Sequence, residues 1–329
     1  MRGGGRHLDE DDVRVRARGG SRPRTRKRPK HEDATAGMVT AVDRGRYRCL
    51  VDGREVTAMK ARELGRGSIV VGDRVALVGD LSGTPDTLAR IVRVEGRDSV
   101  LRRTADDTDP VERVIVANAD QLVVVCSLAD PDPQPRLIDR CLVAAYDAGL
   151  DPLLCLTKAD LARPGGLLDG YSSLGLRHVV TDHEGDLSDL ERLLADRTSV
   201  LVGSSGVGKS TLVNRLVPEA ARAVGHVNPV TGRGRHTSTS AVALPYRDGW
   251  IIDTPGVRSF GLAHIDPDDV VAGFPDLEEA VAECPPGCPH TADAQGCALD
   301  AWAAGGRLSE LRVASLRRLL ASRAGEEGA

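Results

Sequence analysis

The octapeptide Gly203-Ser204-Ser205-Gly206-Val207-Gly208-Lys209-Ser210 fits the pattern GxxxxGK[ST]. It lies between an apolar run at 199–202 and a helical pattern beginning at Thr211 and ending at 217, which predicts strand, glycine loop and helix in succession. No other feature constrains the 329-residue chain as much, because such a strand belongs in a mainly parallel sheet covered by helices on both faces. The glycines let backbone N–H groups wrap phosphate oxygens, and the helix N-terminus adds its partial positive charge. Lys209 would reach the outer phosphates, and the Ser210 hydroxyl would complete the coordination of Mg²⁺. Only five of the 44 basic residues are lysine, so a lysine here, where a guanidinium fork would not fit, is informative.

Two further tetrapeptides end apolar runs. Asp253-Thr254-Pro255-Gly256 follows residues 250–252 and so sits at a strand C-terminus, where α/β proteins bind ligands. Asp253 would hold Mg²⁺ through water, and the Gly256 N–H would sense the terminal phosphate. Thr157-Lys158-Ala159-Asp160 ends the run at 152–156. The Asp160 carboxylate can accept both N1–H and N2–H of guanine, which adenine does not offer, so it selects GTP over ATP. Lys158 would lie along the base. Thr157 stands where this motif usually carries Asn, which is expected to weaken base affinity.

The order of these motifs matters. Ordinary small GTPases present the phosphate loop first and the guanine motif last. Here the guanine motif precedes the loop by about 45 residues, so the parts can meet only if the domain is circularly permuted. Residues 232–239 (GRGRHTST) lie where the first switch belongs, and Thr237 or Thr239 would ligate Mg²⁺ there. The glutamine that orients water in many GTPases would follow Gly256, but Val257 occupies the place. An apolar side chain cannot align a nucleophile, so intrinsic hydrolysis should be slow. His236 is the candidate for positioning water, with His264 in reserve; the competing reading gives His236 only a contact with RNA or solvent.

Texture divides the chain further. Residues 1–36 read as a disordered basic arm: residues 1–31 hold eleven basic and four acidic side chains, a net +7. The formal total of -4 therefore leaves -11 on the rest. Residues 37–96 carry short β-prone runs at 38–42, 47–51, 55–59, 69–71, 74–78 and 89–94, with Asp52-Gly53 as a hairpin turn. A five-stranded barrel of the OB type is expected, with an SH3-like barrel as the alternative. Residues 97–264 alternate strands and helices and form the nucleotide domain. From 265 to 329 the chain is helical, with an acidic stretch at 269–283 and a last helix carrying Leu308, Leu311, Leu316, Leu319 and Leu320.

Four cysteines, Cys49, Cys126, Cys141 and Cys155, sit in apolar runs and should pack as small hydrophobes. The other three form Cys284-x3-Cys288-x-His290-x6-Cys297. Three thiolates and an imidazole saturate tetrahedral Zn²⁺, so one closed, structural site is expected. No apolar run is long enough to span a membrane, and no apolar segment follows the basic N-terminus, which argues against a secretory signal.

A barrel, then TKAD, GSSGVGKST, GRGRHTS, DTPG and a Cys/His cluster, over about residues 38–320, resembles the circularly permuted GTPases. Among them it is similar to the ribosome small-subunit-dependent (RsgA/YjeQ) family. The cysteine spacing departs slightly from the family's usual one. The resemblance implies a cytoplasmic, monomeric GTPase that binds the 30S subunit and its 16S rRNA and acts late in subunit maturation. Contact with the subunit would trigger hydrolysis, and hydrolysis would release the protein as its GDP form. The barrel has one aromatic residue, Tyr47, so arginine and backbone contacts rather than base stacking would carry RNA binding. Two other readings are a permuted GTPase acting on the large subunit and a nucleotide-gated RNA-binding scaffold with negligible turnover.

Overall fold

A computed structural model describes residues 31–64, 69–104, 111–219, 241–255 and 260–323. Five strands open the described chain: β1 (Thr35–Asp43), β2 (Arg46–Val51), β3 (Arg54–Lys60), β4 (Arg74–Gly79) and β5 (Ala89–Val94). Alternation builds them. In β2 the side chains of Tyr47, Cys49 and Val51 point inward while Arg46 and Arg48 stay in water. The sheet closes on itself in the order β1-β2-β3-β5-β4-β1, with β3 and β5 parallel and the other pairs antiparallel. This is a closed barrel of the OB type around Val39, Val56, Leu77 and Ile91. β1 begins at Thr35, inside the stretch expected to be arm. Residues 69–71 do not form the expected strand: Val71 makes a single bridge to Val116, and the Asp73 carboxylate accepts the Val70 N–H, folding the segment into a turn.

A hairpin, β6 (Val100–Arg103) and β7 (Arg113–Ala117), leads to the nucleotide sheet. Its strands are β8 (Gln121–Ser127), β9 (Asp151–Thr157), β10 (His178–Val180), β11 (Thr198–Val202), β12 (Val242–Tyr246) and β13 (Gly249–Asp253). The order is β10-β9-β8-β11-β13-β12, all parallel except β12. Every residue of β8 is buried, as a strand covered on both faces must be. Leu122, Val124 and Cys126 pack towards helix α1 (Pro135–Asp147). Val123 and Val125 pack towards α3 (Ser188–Leu194) and α4 (Lys209–Leu216), and the short α2 (Gly165–Asp169) lies between β9 and β10 in the chain. β12 also pairs with β1 at Ala41 and Val242, so barrel and nucleotide sheet form one eleven-stranded sheet.

Four helices follow: α5 (Pro267–Ala272), α6 (Glu278–Ala282), α7 (Ala298–Ala304) and α8 (Glu310–Arg323). The expected helical stretch at 269–283 is two helices, because the chain breaks at Gly273-Phe274-Pro275. A Cβ on Gly273 would stand 2.8 Å from Val143 Cγ2, so α5 ends by pressing its backbone against α1. Leu316, Leu319 and Leu320 of α8 are buried as expected, but Leu308 precedes the helix and Leu311 is exposed. Phe274, Leu277, Leu299 and Trp302 share one core with Leu122 and Val124, so packing runs unbroken from the sheet into the helices. The fully buried Arg312 fastens this junction, reaching Asp139 of α1 at 3.1 Å and Asp276 at 3.0 Å. Among the described residues no helix is long and apolar enough to cross a membrane.

Candidate nucleotide and metal sites

β11 runs into the phosphate loop at the edge of the sheet where the parallel strands end. Val207 plugs into the core, which leaves Ser204, Ser205 and Gly206 arched over the strand ends. Gly206 and Gly208 hold φ of 86° and 88°, values that side chains rarely tolerate. A Cβ on Gly203 would sit 2.6 Å from the Val125 carbonyl oxygen, so that glycine keeps the loop close to β8. α4 starts at Lys209, two residues earlier than the sequence pattern suggests, and this puts Ser210 and Thr211 in its exposed first turn.

The three motifs meet through specific bonds. Lys209 is buried, and its ammonium donates to the Asp253 carboxylate and to the Thr254 carbonyl. Asp253 ends β13 in register with Leu201, and the Thr254 hydroxyl donates to the Leu201 carbonyl at 2.7 Å. Thr157 ends β9, and its hydroxyl donates to the Val207 carbonyl at 2.6 Å. Thr157 is therefore a strut between the guanine motif and the phosphate loop. Lys158 adopts φ 60° and donates from Nζ to the Asp130 carbonyl; Asp160 is exposed beyond it. His236, Thr237, Thr239, Gly256 and Val257 lie outside the described residues. His264 lies near Asp147, at the opposite end of α1 from the phosphate loop, so the structure does not bring it to this site.

Sequence reasoning missed one wall of the pocket beside Thr157 and Lys158. Thr181, Asp182 and His183, just after β10, line a pocket with Thr157, Lys158 and Arg215. Arg215 of α4 holds that loop by donating to the carbonyls of Asp182 and His183 at 2.8 Å each. The signal was positional: the loop lies at a strand C-terminus in a parallel sheet.

The second site is the cysteine cluster. One ligand atom from each of Cys284, Cys288, His290 and Cys297 lies within 4.8 Å of all the others. Cys284 Sγ is 3.9 Å from Cys297 Sγ and 3.5 Å from His290 Nδ1. Bond lengths of about 2.3 Å to sulfur and 2.0 Å to nitrogen give tetrahedral edges of about 3.8 and 3.5 Å, so the residues fit a four-coordinate metal. The Ala298 N–H points at Cys284 Sγ from 3.3 Å, and Arg317 Nε donates to the His290 carbonyl at 3.3 Å, bonds that orient the ligands. Burial, helped by neighbouring Cys288 and Cys284, pushes the Cys297 thiol up to about 11. A bound cation reverses that tendency and holds the thiolate. The other four cysteines are buried in the cores, as expected of small hydrophobes.

The sequence model of the RsgA GTPase family matches residues 94–263, more than half of the chain. This chain belongs to the RsgA GTPase family. Curated relatives agree. The Small ribosomal subunit biogenesis GTPase RsgA of Pseudomonas syringae pv. tomato is 39% identical over 265 residues, 78% of this chain and 75% of that protein. That of Ectopseudomonas mendocina is 43% identical over 218 residues, 63% of each. Among solved structures, YjeQ from Thermotoga maritima superposes with a TM-score of 0.67 at 25% identity, covering 88% of this chain and 99% of that one. YloQ, a circularly permuted GTPase, superposes equally well (0.67) at 21% identity, over 92% of this chain and 99% of its own, and speaks for the fold. The fold is thus that of a circularly permuted P-loop GTPase with an N-terminal OB-type barrel and a C-terminal helical module bearing a Cys3His cluster.

Proposed function

We propose that this chain is a GTP hydrolase that binds the 30S ribosomal subunit through 16S rRNA and assists its late maturation. Its own turnover is slow, the subunit stimulates it, and hydrolysis is coupled to release. The observation that carries the reading is the meeting of three motifs at one sheet edge in permuted order: Thr157 on Val207, and Lys209 on Asp253 and Thr254. The printed names of the curated relatives supply the small subunit.

In this reading residues 203–211 wrap the phosphates, Asp160 accepts from the guanine edge, and Thr157 and Lys158 hold the base loop in place. Ser210, Thr237 and Asp253 are the residues to hold Mg²⁺, which supplies charge neutralisation at the phosphates when bound. Gly256 reports the terminal phosphate. His236 orients the attacking water once the subunit fixes its position, and Val257 accounts for slow turnover without the subunit. Cys284, Cys288, His290 and Cys297 hold one structural zinc. The protein acts in the cytoplasm as a monomer.

Exposed Arg44, Arg46, Arg54 and Arg90 on the barrel, with the +7 of residues 1–31, suit contact with a phosphate backbone. Measuring GTP hydrolysis with purified 30S subunits, with 50S subunits and with neither tests the proposal. Stimulation by 30S alone is expected. Stimulation by 50S, or none by either, would overturn it in favour of a large-subunit factor or a binding scaffold.

A further inference from the structure

One guanidinium joins two walls of the nucleotide site. Arg215 lies in the last turn of α4, the helix that begins at Lys209. Four positions after Thr211, it shares that residue's face of the helix, and both line the pocket beside Thr157 and Lys158. A basic residue near a helix C-terminus commonly answers the helix dipole. Here the donors also leave the helix and enter the loop after β10, 30 to 33 positions earlier in the chain. Nη1 donates to the carbonyls of Asp182 and His183 at 2.8 Å each, and Nη2 donates to the Gly185 carbonyl.

The loop is wound to receive that fork. The Asp182 carboxylate accepts the N–H groups of Glu184 and Gly185, so the chain turns back and aims three carbonyls at one place. At its start the loop is fixed to the guanine motif. The Thr181 N–H donates to the Leu156 carbonyl at 2.7 Å, and the Thr181 carbonyl accepts the Ala159 N–H at 3.1 Å, one residue before Asp160. β10 ends the sheet and pairs with β9 over three residues, so the ladder gives the chain beyond Thr181 little support. The pocket between the loop and α4 measures about 90 Å³, and the setting of either wall decides what fits.

We propose, on the guanine-nucleotide reading above, that Arg215 is a positioning residue for base discrimination: it fixes the 182–185 loop against α4 and so sets the width of the pocket that receives the guanine ring. A guanidinium suits the task, because its planar fork reaches three carbonyls at once from one fixed plane. Without the brace, an entering base would have to order the loop itself. That cost lowers affinity at the base and leaves the phosphate loop as it was.

The test is calorimetric titration of the full-length, metal-loaded protein with GDP, ADP and inorganic tripolyphosphate, the last a ligand with no base. The parent should prefer GDP to ADP. Arg215→Met should bind GDP about tenfold more weakly and tripolyphosphate within about twofold of the parent. Should that variant not fold, Arg215→Lys keeps the stem and the charge but gives up the fork, and it should still lose about threefold for GDP alone. Asp182→Ala frees the loop from its other side and should also weaken GDP binding. Combined with Arg215→Met it should add little, because both act on one loop. Unchanged GDP affinity in the Arg215 variants, an equal loss for GDP and tripolyphosphate, or losses that add in full would overturn the proposal and leave the guanine reading standing. A parent that binds ADP as tightly as GDP would overturn that reading, and the role of Arg215 with it.

Discussion

Thr157 shows how one hydroxyl ties a nucleotide site together. It departs from the expected Asn, yet it is buried and its Oγ1 donates to the Val207 carbonyl at 2.6 Å, across 50 residues of sequence. Thr157→Val keeps the shape and leaves that buried carbonyl unpaired, at a cost of about 1–3 kcal/mol. Part of the loss should appear at the phosphate loop, as guanine-nucleotide affinity lower by about tenfold in a fluorescent-nucleotide titration. Thr157→Ser should restore it; equal affinity in all three proteins would show that the strut plays no part in binding. Asp160 makes a different prediction, because its side chain is exposed at the end of its motif. Asp160→Ala should leave unfolding by denaturant within about 0.5 kcal/mol of the parent. It should also lose most of the preference for GTP over ATP in competition binding. These residues were legible because each obeys a short local rule. Thr181, Asp182 and His183 were not: they follow a three-residue strand and carry no motif, and only the folding of β10 beside β9 brings them to the pocket beside Thr157 and Lys158.

Among the elements, helix α1 connects most. One end faces the phosphate loop, and its middle carries Asp139, which meets Arg312 and Ser315 of α8. Removing one partner of a buried ion pair strands the others, so Arg312→Met should cost about 3–5 kcal/mol by leaving Asp139 and Asp276 uncompensated. Burial pushes the Asp139 carboxyl from 3.8 up to about 6, although Arg312 pulls it down. The folded chain therefore binds more protons than the unfolded chain between those values. The contribution of this group to stability is fully present below about pH 4 and lost as pH rises through about 6. Asp139→Asn should flatten that part of the stability profile in denaturant unfolding; an unchanged slope would assign the pH dependence elsewhere. The strands of the sheet were readable from apolar runs such as 121–127, which need burial on both faces. The acidic stretch 269–283 is helical as its composition suggests, but it is cut in two where Gly273 presses against α1, a contact that composition does not report. The same junction makes the metal cluster matter beyond its own loop. Cys297 caps α7 and belongs to the core shared with α1. Chelation, or Cys288→Ser, should release one zinc by elemental analysis and lower Tm by several degrees or more. Full metal content after the substitution would exclude Cys288 as a ligand.

For the whole molecule, the sequence separated barrel from nucleotide domain, whereas the structure runs one sheet through both. Periodicity could not show this, because the joint is a single pair between Ala41 and Val242, 201 positions apart. Its effect is mechanical. β12 pairs with β1 on one side and with β13 on the other, and β13 ends in Asp253. A load on the barrel thus lies two strands from the carboxylate that meets Lys209. Charge is arranged differently from mechanics: residues 1–31 carry +7, the rest -11. Within about a Debye length, roughly 8 Å at physiological salt, an acidic body is repelled by a phosphate-rich subunit unless a basic segment counters it. Deleting residues 1–31 should therefore affect encounter and leave chemistry alone. Subunit-stimulated turnover should keep its kcat, while the subunit concentration for half-stimulation rises, most of all at low salt. The salt slope should fall by about 0.7–0.9 for each phosphate that the arm no longer neutralises. If the truncated protein instead loses kcat at saturating subunit, the arm takes part in triggering hydrolysis. If neither parameter moves at any salt, its charge has no role in docking, and the exposed barrel arginines must supply the whole of the attraction.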